Sequence, residues 1–315
     1  MGSVNVTVTQ GVEVATLSNG FSYVVPLKVI TGDSSGILAI RDPDTLAIES
    51  SNDVGGVISG LVFTDGFIYA IHDGKIRKYS PDDLTTEVAV SSVSVRSSPL
   101  AADSVGNLYA ITSINDLVQF DQDLVETGRN TVAGNTVNGV AASADAVFWG
   151  GFNDALWRAD ISDISVTTHT LPAASTDIEA VALGSDGSVL VSGRSTTLRR
   201  FLPADLTAAG TATLASWGTA IAGDPSGNVY VTRGGSFNES RVFRLSDMFQ
   251  LSALGEWGSK TPTFADSGTM YGSSTANSRL VKYSMDPLTR ASEVTMSSGV
   301  CTINRNISRE ILGLT

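Results

Sequence analysis

The chain has 315 residues and a formal net charge of −12, with 20 Lys and Arg against 32 Asp and Glu. Nucleic-acid binding relies on clustered positive charge, so this balance argues against DNA or RNA as a partner. One cysteine, Cys301, and two histidines, His72 and His169, exclude an intramolecular disulfide framework and a His/Cys zinc cluster.

At roughly 150 residues per domain the length suggests two domains, although all-β folds often run longer as one. The hydrophobic share of 42% is enough for a core, the charged share of 17% is low, and the surplus is 40 Ser, 31 Thr and 31 Gly. The first segment, Met1-Gly2-Ser3-Val4-Asn5-Val6-Thr7-Val8-Thr9, has no basic n-region and no apolar h-region, so it does not read as a secretory signal. No run approaches 18 uninterrupted apolar residues, and membrane insertion through a helix is not expected. Val4, Val6 and Val8 alternate with polar residues and predict a strand within residues 1–11.

Along the chain a tight turn followed by a short β-rich run recurs. It reads Asn19-Gly20-Phe21-Ser22-Tyr23, Asp65-Gly66-Phe67-Ile68-Tyr69, Val105-Gly106-Asn107-Leu108-Tyr109 and Asp145-Ala146-Val147-Phe148-Trp149. It continues as Asp186-Gly187-Ser188-Val189-Leu190, Ser226-Gly227-Asn228-Val229-Tyr230 and Ser267-Gly268-Thr269-Met270-Tyr271. The turns fall at 20, 66, 106, 146, 187, 227 and 268, in steps of 46, 40, 40, 41, 40 and 41. A second series repeats with nearly the same period: short apolar strands from Ile37-Leu38-Ala39-Ile40 to Leu280-Val281-Lys282-Tyr283. Each leads to an acidic turn at Asp44, Asp83, Asp123, Asp163, Asp205, Asp247 or Asp286. Gly and Asp suit the left-handed backbone and local side-chain bonds of such turns. Period-two alternation without a helical stripe makes each unit four strands.

Seven four-stranded units of about 41 residues predict an all-β, seven-bladed β-propeller with four antiparallel strands per blade. The run Ile221-Ala222-Gly223-Asp224-Pro225-Ser226-Gly227-Asn228-Val229-Tyr230-Val231-Thr232, followed by Arg241-Val242-Phe243-Arg244-Leu245, resembles an NHL-type or YVTN-type repeat. Leu100 to Asp103 with Gly106 to Tyr109 resembles the same unit. The resemblance covers residues 12–296 and implies a fold rather than a function, since that superfamily includes enzymes, adhesins, scaffolds and cell-surface proteins. Residues 1–11 are then expected as a strand that could close the ring, and residues 297–315 as a tail packed on the propeller or serving as an assembly arm.

Gluconolactonase-like and paraoxonase-like propellers, which the chain resembles in fold, hold a divalent ion at the channel mouth with Glu, Asn and Asp. Asp103, Asp145, Asp186, Asp224 and Asp266 occupy equivalent positions in successive units, which reads as turn formation rather than ligation. Glu13 and Glu179 are the isolated candidates for a channel carboxylate. Trp217 and Trp257, each followed by Gly, are read either as wedges between blades or as an aromatic rim that stacks on sugar rings. Third-strand cations, Arg77, Lys78, Arg158, Arg199, Arg200, Arg244 and Lys282, are expected to pair with turn Asp residues of adjacent blades. His72 and His169 are expected to lie apart without a Ser or Cys partner, and no phosphate loop or dinucleotide fingerprint occurs, so neither a His-based triad nor a cofactor is predicted.

The leading expectation is a non-enzymatic binding or structural module with protein partners in a larger assembly. A virion head or tail decoration, an attachment protein or a cell-surface component fits the Ser/Thr/Gly-rich acidic composition. A metal-dependent lactonase-like hydrolase and a lectin-like propeller that binds surface glycan are the alternatives.

Overall fold

The computed structural model describes residues 2–10, 13–24, 27–131, 137–152, 155–172, 177–233, 240–254, 263–264, 269–274, 279–285, 288–296, 300–307 and 310–314. Every regular element among them is a β-strand. The strands form seven four-stranded antiparallel sheets and one three-stranded sheet. Six blades are consecutive in the chain, and each runs from its inner to its outer strand. Blade 4, for example, is Val137–Ala142, Ala146–Gly151, Leu156–Asp160 and Asp163–Leu171. The predicted seven-bladed β-propeller is therefore the architecture of the chain.

Blade 1 departs from this order. Its inner strand is Val300–Ile307, which pairs antiparallel with Leu27–Asp33, and Ile37–Arg41 and Ile48–Asp53 complete the sheet. The segment containing Val4, Val6 and Val8, expected to close the ring, instead forms the strand Gly2–Gln10 outside the blades. It pairs with Glu13–Val24, which pairs in turn with Glu310–Leu314. Asn19 and Gly20 thus lie inside a strand rather than at the first blade's turn. With its inner strand supplied from residues 300–307, blade 1 has no hairpin between first and second strands for the turn series to mark. That explains why the first step of the series is 46 residues while the others are 40 or 41. Blade strands accordingly run from Leu27 to Ile307 rather than over residues 12–296.

The hydrophobic core lies between the blades. Seven clusters of buried residues occupy the seven seams: Ile30, Leu38 and Ile68 between blades 1 and 2, for instance, and Phe148, Leu156 and Val189 between blades 4 and 5. Alternate residues of one second strand face opposite seams, so that Leu108 and Ala110 pack toward blade 2 while Tyr109 and Ile111 pack toward blade 4. Both faces of this strand are therefore buried, and it reads as a continuous apolar run, Leu108 to Ile111.

In six blades a side chain one or two residues after the Asp of the third-to-fourth-strand turn enters the seam with the preceding blade. Leu46, Leu84, Leu124, Ile164, Leu206 and Met248 do this in blades 1 to 6. Leu46, Leu124, Leu206 and Met248 take left-handed backbone, with φ of 61°, 62°, 59° and 57°. That conformation costs a non-glycine residue about 1–2 kcal/mol, whereas complete burial of a Leu-sized side chain stabilises by about 1.5–3 kcal/mol. Burial offsets the strain, and the turn becomes a plug.

Polar contacts hold the same turns from the preceding blade. The Tyr69 hydroxyl donates to the Gln122 carbonyl at 3.0 Å, and the Tyr271 hydroxyl donates to the Pro43 carbonyl at 2.9 Å. Lys78 pairs with Asp123 at 3.6 Å and Lys282 with Asp44 at 2.7 Å, as expected for third-strand cations. Other members of that set differ: Arg158 donates to the Pro203 carbonyl, while Arg77, Arg200 and Arg244 pair within their own blades with Glu87, Asp186 and Asp247.

His72 ends the second strand of blade 2, and His169 lies in the outer strand of blade 4. His72 is buried, with Nε2 2.7 Å from the Tyr79 hydroxyl and Nδ1 3.5 Å from Asp73 Oδ2. Burial raises the Tyr79 hydroxyl to about 12, so it stays protonated. Burial, then Arg77, lowers His72 from its ordinary 6.5, against the opposing pull of Asp73 and Glu87. Below about pH 6.5 the unfolded chain gains a proton that the folded chain resists, so this histidine withdraws stability as pH falls.

Two measurements check these assignments. Leu124→Ala should destabilise the ring by about 2–5 kcal/mol in denaturant unfolding, whereas Val125→Ala at the neighbouring exposed position should change it by no more than about 0.5 kcal/mol. His72→Gln should flatten the fall in unfolding free energy between pH 7.5 and 5; an unchanged slope would refute the neutral buried histidine.

Candidate functional site

Two kinds of loop share one face of the ring, those joining second to third strands and those joining one blade's outer strand to the next blade's inner strand. On this face the inner strands of blades 4, 5 and 6 open with a β-bulge, because pairing skips one residue between Val137 and Gly139, Ile178 and Ala180, and Gly218 and Ala220. The skipped residues are Asn138, Glu179 and Thr219, at steps of 41 and 40. Bulges re-aim side chains out of the ladder. Asn138 donates to the Ile178 carbonyl at 3.2 Å, which stitches blade 4 to blade 5.

Glu179 accepts from Arg194 Nε at 2.9 Å, and the guanidinium of Arg194 lies between two aromatic rings, 5.0 Å from the centroid of Phe152 and 5.6 Å from that of Trp217. Phe152 and Arg194 follow the second strands of blades 4 and 5, and Trp217 precedes the inner strand of blade 6. Two candidates from the sequence, Glu179 and Trp217, are thus brought together through Arg194, which the sequence reading did not single out. Trp217 is 37% exposed, so it is not a fully buried wedge.

Beside it a small open cleft is lined by Leu214, Trp217, Gly218, Val231, Thr232 and Arg241, among others. Gly218 is required here by close approach: a Cβ would come within 2.7 Å of Val231 Cγ1 and 2.9 Å of Ser192 Cβ. Arg241 Nη1 donates to Gln250 Oε1 at 2.9 Å, which holds the guanidinium along blade 6.

The other candidates fall elsewhere. Glu13 lies in the strand Glu13–Val24 outside the blades, and its side chain is outside the described set, as is Trp257. The repeated turn carboxylates act within their turns. Asp103 accepts from the amides of Val105 and Asn107, from Asn107 Nδ2 and from the Tyr109 hydroxyl. Asp224 accepts from the amide and side chain of Asn228. Burial works against ionisation of Asp186, but Ser188 and Arg200 outweigh it and hold the carboxyl below its ordinary range. Asp266 lies outside the described residues. Among the described residues, no three His, Cys, Asp or Glu side chains converge in a group that could hold a metal ion.

No protein-family model matches the chain, and no curated protein matches it. Solved structures do match: apo AztD from Citrobacter koseri aligns with a TM-score of 0.65 at 11% identity, over 90% of this chain and 98% of that one. At this identity the likeness is one of fold. In all, 1501 chains share such a likeness, so it carries the propeller architecture and no activity.

The pairing of Glu179, Arg194 and Trp217 is open to measurement. Arg194→Ala should raise acrylamide quenching of tryptophan fluorescence, and adding Trp217→Phe should remove the increase. Because Arg194 is partly exposed, stability should change by less than about 1 kcal/mol.

Proposed function

We propose that the chain is a non-enzymatic binding and structural module of a larger assembly, as a virion head or tail decoration, an attachment protein or a cell-surface component. The observation that carries this reading is the three-stranded sheet outside the seven blades, formed by Gly2–Gln10, Glu13–Val24 and Glu310–Leu314. Gly2–Gln10 is an edge strand of nine residues, and among the described residues no strand pairs with its outer side. Such an edge presents a row of backbone donors and acceptors on which a partner strand can add.

The polar groups of the ring support the same reading, because many are engaged in holding structure. Asp103 and Asp224 order turns, Lys78 and Lys282 bridge seams, and Glu179 holds Arg194. The low charged fraction and the Ser, Thr and Gly surplus suit a ring displayed at a surface.

Light scattering and mass measurement on the protein from its native source test the proposal. The wild-type chain should be recovered in a complex of defined higher mass. A variant carrying Asn5→Pro and Thr7→Pro, which removes backbone donors from the strand, should elute as a free monomer with unchanged unfolding of the ring. Recovery of the wild-type chain as an isolated monomer would overturn the assembly role.

A further inference from the structure

We propose that the strand Gly2–Gln10 pairs antiparallel with the same strand of a second copy of this chain, joining two outer sheets into one. This pairing rests on the assembly reading above and names the partner at its open edge.

The blades guard their own edges. In all seven, the outer strand skips one residue of its ladder with the third strand, from Glu49 in blade 1 to Ala291 in blade 7. A bulge twists an edge strand and breaks the row of donors and acceptors on which another strand would add. Charge does not do this everywhere. Ala208–Thr213 and Phe249–Leu254 carry none, and there the bulges at Ala209 and Leu251 interrupt the edge. The far edge of the outer sheet is irregular as well, because the register of Glu310–Leu314 shifts between Phe21 and Tyr23.

Gly2–Gln10 differs from all of these. Its ladder is irregular only between Val4 and Val6, and from Val6 to Gln10 it pairs residue for residue with Leu17 to Glu13. It also has no Lys, Arg, Asp or Glu. Among the described strands this edge alone joins a regular stretch of that length to a complete lack of charge, and the fold leaves it open.

The same composition selects the occupant. An uncharged strand has nothing to attract a charged segment, and two copies of it bring no like charges opposite one another. The strand also matches its own reverse. Antiparallel pairing about any one residue sets even positions opposite even and odd opposite odd, so Val4, Val6 and Val8 share one set of pairs and Ser3, Asn5, Thr7 and Thr9 the other. Cross-strand Thr–Thr and Thr–Ser pairs are favourable. Because both copies present the same patch, the contact closes as a two-fold dimer rather than extending. One strand pair buries little surface, which makes the dimer a weak one.

Sedimentation velocity on the purified full chain, from about 1 to about 200 µM, tests the pairing. The mass should rise with concentration from that of one chain toward twice that value, and the backbone amides of residues 2–10 should exchange more slowly at the upper end. Thr7→Lys and Thr7→Glu, each alone, should weaken dimerisation about 10-fold, because like charges then meet across the pair. Mixed in equal amounts, the two variants should form a mixed dimer, which also shows that both fold. A chain that stays monomeric throughout this range would overturn the self-pairing. Its recovery in a heavier complex from the native source would then leave the assembly reading standing with a different partner. Undiminished dimers in either Thr7 variant alone, a mixture that stays monomeric, or an open series of larger wild-type species would equally overturn the two-fold strand pair.

Discussion

The structure depends on the packing of one blade against the next. Among the described residues no blade contains its own core: the seven buried clusters sit between neighbouring sheets, and each second strand contributes alternate residues to the two seams beside it. A single sheet would expose both apolar faces to water, and six sheets would still leave two such faces open. Closing the seventh seam is therefore a condition for stability of the whole ring. At that seam Val29 and Leu46 of blade 1 pack with Tyr271 and Leu280 of blade 7, and Lys282 and Tyr271 reach across to Asp44 and Pro43. Blade 1 itself joins residues 300–307 to residues 27–53, so the two distant parts of the chain are held in one sheet.

This construction separates residues locked into the seams from those carried by the loops. Second strands are fixed on both faces, and the loops that follow them are anchored by their last residues. Phe152 and Arg194 occupy such positions, and Trp217 stands just before an inner strand. A rigid wall carrying short variable loops allows a site to change without disturbing the seams. The repeated carboxylates illustrate the complementary case. Asp103 and Asp224 spend their oxygens on the backbone of their own turns, as residues repeated in many blades would.

Much of the fold was legible in the residues because its cause is local and repeated. Gly and Asp at the turns and alternation along the third strands recur in phase along the chain. The plugs were legible in principle as well, since Leu84, Leu124, Ile164, Leu206 and Met248 each directly follow the Asp of the second series. Local pattern does not reveal their role, because it is played in the seam with the preceding blade. The phase of blade 1 was misread for a related reason: Asn19-Gly20 has the residues of a tight turn, yet pairing with Gly2–Gln10 and Glu310–Leu314 makes that segment a strand. Arg194 carries no repeat signal of its own; the cue to it is that Phe152 and Arg194 stand where small residues such as Ser34 and Ser113 follow other second strands.

By itself, then, the sequence determined the class, the number of blades and the four-strand unit, because composition and short-range pattern control these. Only the tertiary structure decided which segment completes blade 1, where the strand over residues 2–10 pairs, and that Glu179 meets Trp217 through Arg194. Those are contacts between residues far apart in the chain, set by ring closure and by which loops reach the same face, and local pattern carries no information about either. The Ser, Thr and Gly surplus seen at the outset belongs to both accounts, as the composition of many tight turns and exposed outer strands arranged around a single closed ring.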